Sequence, residues 1–162
     1  MGVWSSTFKR QARELSGKTW TERHEHAYFE NLIFYGSNHP DQCYWEADVP
    51  YAGSCDGRIV VMMTGRSEEP TEREQAFCEY TLSDPDALFR LCAEAFSQVF
   101  EKWTGGAIPA NWREAFELDG FEIPKDGDPR NKWEICYYVE ATHHYFIAVL
   151  SKGRVVDVRV EG

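Results

Sequence analysis

Glu22, His24 and His26 alternate near the beginning of the chain, a spacing at which three metal-ligating side chains can meet. Alternate residues of an extended strand project from the same face, so the carboxylate and the two imidazoles would lie together. Such groups bind zinc and related cations in many proteins. Further ligands would have to come from the remaining histidines, His39, His143 and His144. The simpler interpretation is a solvated strand face, and we expect no bound cofactor.

Cys55 is the candidate nucleophile, because it stands next to Asp56 in a glycine-flanked turn and a neighbouring histidine would activate its thiolate. The apolar patterns around Cys78, Cys92 and Cys136 predict buried thiols that pack as small hydrophobic side chains. The five cysteines form no C-x-x-C pair, which is typical of a reducing compartment. We therefore expect a cytoplasmic protein with free thiols.

The sequence contains no complete catalytic motif of the common classes. It lacks a G-x-S-x-G elbow, a phosphate-binding glycine loop, a dinucleotide fingerprint, an H-E-x-x-H pair and a zinc-deaminase signature. No apolar run approaches the ~20 residues that span a bilayer. We expect a protein without catalytic activity and without a membrane partner. A metal-dependent enzyme built on Glu22, His24 and His26 is the alternative.

Acidic residues outnumber basic ones, 27 to 17, and the excess of negative charge is concentrated in the middle of the chain. Residues 66–101 carry nine acids and three bases, a net charge of −6. Residues 111–128 carry six acids and two bases, a net charge of −4. Because nucleic-acid binding depends on clustered Lys and Arg, this balance argues against a nucleic-acid partner. The negative charge instead favours a basic protein as the partner, since opposite charges steer association.

Strands are expected to dominate residues 18–64, which carry Glu22, His24, His26 and Cys55. Four are expected between residues 18 and 64, over 19–28, 31–35, 43–49 and 58–64. The run Ile59–Met63 is apolar at every position, which predicts a strand buried on both faces. A short amphipathic helix over residues 1–16 is expected to precede the strands.

Two helices are expected over residues 71–104. Thr71 stands three residues before Glu74, the capping-box spacing in which each side chain bonds the backbone N–H of the other residue. Pro85 follows Asp84 and suits the first position of a second helix. Apolar residues then recur every three or four positions until Gly105, which predicts a long helix with a broad buried stripe.

The C-terminal part of the chain returns to strands. Three segments, over residues 133–140, 145–150 and 155–160, predict an antiparallel meander. The stretch containing Trp112 and Phe116 is expected to be a connection with a short helix. These elements together predict one α+β domain over residues 1–162, a mostly antiparallel sheet with the central helical pair packed on one face.

The opening of the central helix and the C-terminal meander also carry a family resemblance. The residues concerned are Pro70-Thr71-Glu72-x-Glu74-Gln75, Trp133, His143-His144 and Gly153-x-Val155-Val156-x-Val158. In this order they resemble small acidic α+β immunity proteins of bacterial polymorphic toxin systems, over roughly residues 58–160. The resemblance implies a cytoplasmic antidote that binds a cognate toxin and blocks its active site, with no chemistry of its own.

Acidic side chains are the expected contacts with such a toxin, whose active-site cleft would be basic. The candidates are Glu68, Glu69, Glu72, Asp84, Asp86, Glu114, Glu117 and Asp119, with Trp112 as an aromatic anchor. Tyr44, Trp45 and Tyr51 are further aromatic candidates, for which a place in the core is the better explanation. A non-catalytic adaptor domain is the second alternative, and it predicts a partner too.

Overall fold

The computed structural model of the chain describes residues 18–162, and the helix expected over residues 1–16 lies outside them. The strands are β1 Thr19–Arg23, β2 Glu30–Ser37, β3 Tyr44–Pro50, β4 Arg58–Thr64, β5 Glu117–Glu122, β6 Trp133–Val139, β7 His144–Ser151 and β8 Arg154–Glu161. The helices are α1 Glu72–Ser83 and α2 Pro85–Thr104. Three short 3₁₀ turns cover Pro40–Gln42, Trp112–Glu114 and Lys125–Gly127.

All eight described strands belong to one sheet, in which their spatial order equals their order in the chain. Every neighbouring pair is antiparallel except β4 and β5, which run parallel. A parallel pair needs a crossover connection, and α1 and α2 supply it. The predicted α+β class, with a mostly antiparallel sheet and a central helical pair on one face, is confirmed.

Both helices begin where the capping residues predicted. The Thr71 side chain accepts from the backbone N–H of Glu74, and the Glu74 carboxylate accepts from the N–H of Thr71 at 2.8 Å. Asp84 caps α2 by accepting from the N–H of Ala87 at 2.8 Å. The helix ends at Gly105, whose φ of 75° lies in the left-handed region that glycine adopts without strain.

Aromatic side chains fill the space between the helices and the sheet. Phe96 of α2 contacts Tyr137 of β6 and Phe146 of β7 edge to face, at centroid distances of 5.8 Å for both pairs. Phe77 of α1 meets the Trp133 ring at 5.1 Å. Such pairs add about 0.5–1.5 kcal/mol each to the free energy gained by burial. This core fixes the helices to one face of the sheet.

Strand β4 is buried on both faces, as its continuous apolar run predicts. Ile59, Val61 and Met63 belong to the core beneath the helices. Val60 and Met62 point to the opposite face and are 4% and 3% exposed. Successive side chains of a pleated strand point to opposite faces of the sheet. A strand whose five central residues are all apolar therefore has to be buried on both faces.

Strand β5 was not predicted, because the connection after Trp112 was expected to lead directly to the C-terminal meander. The 3₁₀ turn Trp112–Glu114 supplies the short helical element, and β5 follows it. The register of β5 against β6 shifts between Leu118 and Gly120. Such a bulge places Leu118 and Phe121 on the same face three positions apart, so the period-two pattern of a strand is lost.

Strand β1 is shorter than predicted and ends at Arg23 rather than at Tyr28. The Nδ1 atom of His26 accepts hydrogen bonds from the backbone N–H groups of Tyr28 and Phe29, both at 3.1 Å. These bonds close a turn, so the chain reverses into β2. Among the residues described, neither helix combines the length and the apolar character needed to cross a bilayer.

Candidate functional site

His24 lies between the carboxylate of Glu22, two residues before it, and the carboxylate of Glu69, 45 positions after it. Its Nδ1 atom is 2.9 Å from Oε1 of Glu69, and its Nε2 atom is 3.5 Å from Oε2 of Glu22. The rings of His24 and Trp45 pack edge to face, with 4.8 Å between their centroids. We call Glu22, His24 and Glu69 the acidic corner. It attaches the loop between β4 and α1 to the edge strand β1.

The predicted metal ligands do not all converge at the acidic corner. His24 contacts Glu22, whereas the Nδ1 atom of His26 is occupied by two backbone N–H groups. His143 and His144 lie at the turn between β6 and β7, with five strands between β7 and β1 in the sheet. Within residues 18–162, no group of three or more His, Cys, Asp or Glu side chains is arranged to hold a metal ion.

Asp86 and Trp112, both predicted to face a partner, instead contact each other, with the Asp86 side chain exposed and the Trp112 ring buried. The indole N–H of Trp112 donates to Oδ1 of Asp86 at 2.7 Å, and Arg113 donates to the same oxygen at 2.6 Å. These two hydrogen bonds lower the pKa of Asp86. The Trp112 ring is buried and stacks on Phe89 at 4.6 Å between centroids. The pair fixes the Trp112–Glu114 turn to the first turn of α2.

The other aromatic candidates are core residues. Trp45 is 1% exposed and belongs to the cluster beneath the helices, and Tyr51 is buried in the same cluster. Tyr44 is buried on the opposite side of the sheet, where its ring stacks on Tyr35 at 4.5 Å. Because these rings are enclosed, they stabilise the fold rather than present an exposed anchor.

The sheet surface away from the helices, which we call the second face, combines a small apolar cluster with carboxylates. Its buried members are Tyr44, Met62, Cys136 and Ile147. Glu134 alternates with the core residues Trp133 and Ile135, is 8% exposed, and accepts from Arg159 at 2.7 Å. Arg159 lies opposite Ile147 in the β7–β8 register. The pattern of β6 alone did not predict a buried glutamate.

Glu122 is the most perturbed carboxyl group of the second face. Its pKa is raised to about 7, chiefly by burial and to a smaller extent by the nearby Glu134, although a hydrogen bond from Thr64 acts in the opposite direction. Glu122 therefore titrates close to neutral pH. Asp119, a predicted partner contact, lies in the bulged strand β5 beside Cys136. Burial, reinforced by Asp119, raises the pKa of the Cys136 thiol.

The cysteines are separated by burial into two kinds. Cys78, Cys92 and Cys136 are buried, as predicted, and burial raises the pKa of Cys78 and of Cys92 to about 12. These thiols are poor nucleophiles, because a high pKa leaves little thiolate at neutral pH. Cys55 is exposed in the turn between β3 and β4, and no histidine of residues 18–162 forms a hydrogen bond with it.

A groove of about 970 Å³ lies between α1, the beginning of α2 and the turn that follows β5. Its apolar lining includes Phe77, Tyr80, Leu88, Leu91 and Trp133, and its rim carries Arg73, Asp84, Asp126 and Asp128. Of the predicted contact residues, Asp84 is the one that borders it. No sequence pattern predicts the groove, because its walls come from segments about 40 residues apart.

Comparison of the chain with protein-family models, with curated proteins and with solved structures gives no match.

Proposed function

We propose that this protein is an immunity protein, which binds a cognate bacterial toxin and blocks its active site through an acidic surface. The observation that carries the proposal is the state of the exposed acids. Glu68, Glu72, Glu114 and Glu117 are exposed, and none of them forms an ion pair with another described residue. Their charge is available to a partner.

Charge of one sign favours a basic partner for two physical reasons. Opposite potentials raise the rate of encounter, and like charges disfavour other acidic proteins. Toxins that act on nucleic acid or nucleotides need positive clefts to hold phosphates. An acidic protein that occupies such a cleft inhibits the enzyme by exclusion, without chemistry of its own.

The internal arrangement of the molecule also supports a binding role. The acidic corner holds the β4–α1 loop, with Glu68 and Glu69, against β1 through His24. The contact of Asp86 with Trp112 holds Glu114 near the beginning of α2. Acids on loops that are already fixed lose little conformational entropy on binding.

The proposal is tested by co-expressing the chain with the product of the neighbouring gene. We expect a complex that co-purifies at low salt and weakens as salt is raised, and growth of cells that the neighbouring protein alone would kill. A complex without toxicity would identify an adaptor domain and contradict the antidote role. No complex and no rescue would refute the proposal outright.

A further inference from the structure

The groove between α1, the beginning of α2 and the turn after β5 is lined in part by exposed apolar side chains. Tyr80 is 81% exposed and Leu91 is 47% exposed, and both line the groove beside the buried Leu88 and Trp133. Contiguous exposed apolar surface with a polar rim is typical of a binding site. The volume of about 970 Å³ is large enough for one or two side chains of a partner.

The wall opposite the helices is held in place by the buried carboxylate of Glu74, which accepts from the backbone N–H of Asp126 at 3.1 Å. Gly127 follows with a φ of +64°, and a Cβ atom there would lie 2.4 Å from the carbonyl oxygen of Arg73. Only glycine allows this approach. The groove is therefore preformed, which lowers the entropic cost of filling it.

The charges on the rim determine which partner fits. Asp128 is paired with Arg130 at 2.6 Å, whereas Asp126 is exposed and forms no ion pair with a described residue. Asp84 is exposed and its nearest cation, Arg90, is 3.8 Å away. At the rim, Asp126 is therefore unpaired within the described chain and Asp84 has only a long, exposed contact with Arg90, while Arg73 is the single described cation that lines the groove. The rim favours a positively charged group next to an apolar one.

We propose that this groove is the docking site for a protein segment that places a large apolar side chain directly beside a Lys or Arg. The apolar side chain packs between Tyr80, Leu91 and Leu88, and the cation lies between Asp84 and Asp126. The identity of the partner as a basic protein rests on the proposed function. The groove's preference for an apolar group next to a cation rests on its own residues.

The test uses two blocked tetrapeptides that differ in one charge, acetyl-Gly-Phe-Lys-Gly-amide and acetyl-Gly-Phe-Glu-Gly-amide. Each is titrated into the ¹⁵N-labelled full chain, and amide and indole N–H resonances are followed by NMR. We expect saturable shifts at Tyr80, Leu91 and Asp126 with the Phe-Lys peptide, and at least fivefold weaker binding of the Phe-Glu peptide. The indole N–H of Trp133, which has no acceptor among the described residues, should shift, and that of Trp112 should not.

Two charge variants separate the groove from general attraction to an acidic protein. Asp84→Asn with Asp126→Asn should weaken binding of the Phe-Lys peptide at least threefold and reduce its advantage over the Phe-Glu peptide. Asn keeps the cap of α2, because it serves at that position as well as Asp. Asp41→Asn with Asp157→Asn removes the same charge at other exposed positions and should leave both affinities unchanged.

Any of three results would overturn the proposal. These are equal affinity for the two peptides, resonance shifts that map outside the groove, and the same loss of affinity for the Phe-Lys peptide in both double variants. No toxin takes part in the titration. Failure of the co-expression test would therefore refute the antidote role alone, and failure of the titration would refute the groove alone.

Discussion

Carboxyl groups of this protein differ in role because their surroundings differ. Asp86 accepts two hydrogen bonds and has a lowered pKa, whereas burial raises the pKa of Glu122 to about 7. Glu74 is fully buried and paired with Arg66, while Glu68 is exposed. The sequence predicts a capping role for Glu74 from local spacing. It does not predict the burial of Glu122, which depends on the pairing of β5 with its neighbours.

The raised pKa of Glu122 predicts a loss of stability as the pH rises. The folded state holds the proton more tightly than the unfolded chain, whose glutamate pKa is near 4.5. The stabilisation is complete below pH ~4.5 and is lost as the pH rises through about 7. One pKa unit corresponds to about 1.4 kcal/mol, so the loss is at most about 3.5 kcal/mol.

Glu122→Gln should abolish this loss, because glutamine is neutral at every pH and can still bond Thr64. We expect the variant to be more stable than the native protein at pH 8 and similar to it at pH 5, as measured by urea unfolding. Glu117→Gln, at an exposed position of the same strand, is the control and should follow the native pH profile. If Glu122→Gln keeps the pH dependence of stability of the native protein, titration of Glu122 is not its cause.

Glu74 is the residue that joins neighbouring elements to one another. Its carboxylate bonds both Nη atoms of Arg66 in the loop after β4, the N–H of Thr71 before α1, and the N–H of Asp126 in the turn after β5. Its side chain is 0% exposed and that of Arg66 is 10% exposed. The capping box thus serves a second purpose, because the same carboxylate holds one wall of the groove in place through the N–H of Asp126.

Glu74→Ala should destabilise the protein by about 3–5 kcal/mol, since it leaves the guanidinium of Arg66 buried without its partner. Denaturant unfolding monitored by circular dichroism measures the change. Glu30→Gln is the matched control, because the Glu30–Arg58 pair is exposed and such pairs contribute roughly 0–1 kcal/mol.

Arg66→Met combined with Glu74→Gln should recover part of the loss, because no charge is then buried and the amide oxygen still accepts from the backbone. If the double variant is as unstable as Glu74→Ala, the unpaired charge is not the cause.

The charge of the whole molecule is uneven, and the fold redistributes it. Residues 66–101 carry −6 in sequence, and the fold places Glu69 of that segment beside Glu22 of β1 through His24. Residues 111–128 carry −4 and divide between the Trp112–Glu114 turn, strand β5 and the rim of the groove. A partner that approaches from the helix side meets acids from both segments.

If the proposed function is right, Glu68→Lys combined with Glu69→Lys should slow association with the cognate toxin about tenfold at low salt and reduce the dependence of the rate on salt. Stopped-flow or surface-based kinetics at two salt concentrations measures both effects. Glu140→Lys with Asp157→Lys changes the net charge equally at other exposed positions and should have a smaller effect. Unchanged kinetics for the first variant would exclude this cluster and favour Glu114 and Glu117.

The sequence by itself determined the elements whose signals are local. Thr71, Asp84 and Gly105 mark the helix ends through bonds to residues at most four positions away. The apolar run of β4 determined its burial on both faces, since every residue of a pleated strand faces one side or the other. Such signals need no knowledge of the tertiary structure.

Only the tertiary structure decided which distant residues meet. His24 and Glu69 are 45 positions apart, and the groove joins α1 to a turn that follows β5. These contacts depend on the crossover between β4 and β5 and on the bulge in β5, neither of which has a periodic signature in the sequence. Burial of a carboxyl group such as Glu122 is a property of strand pairing, so its pKa follows from the fold and not from its neighbours in the chain.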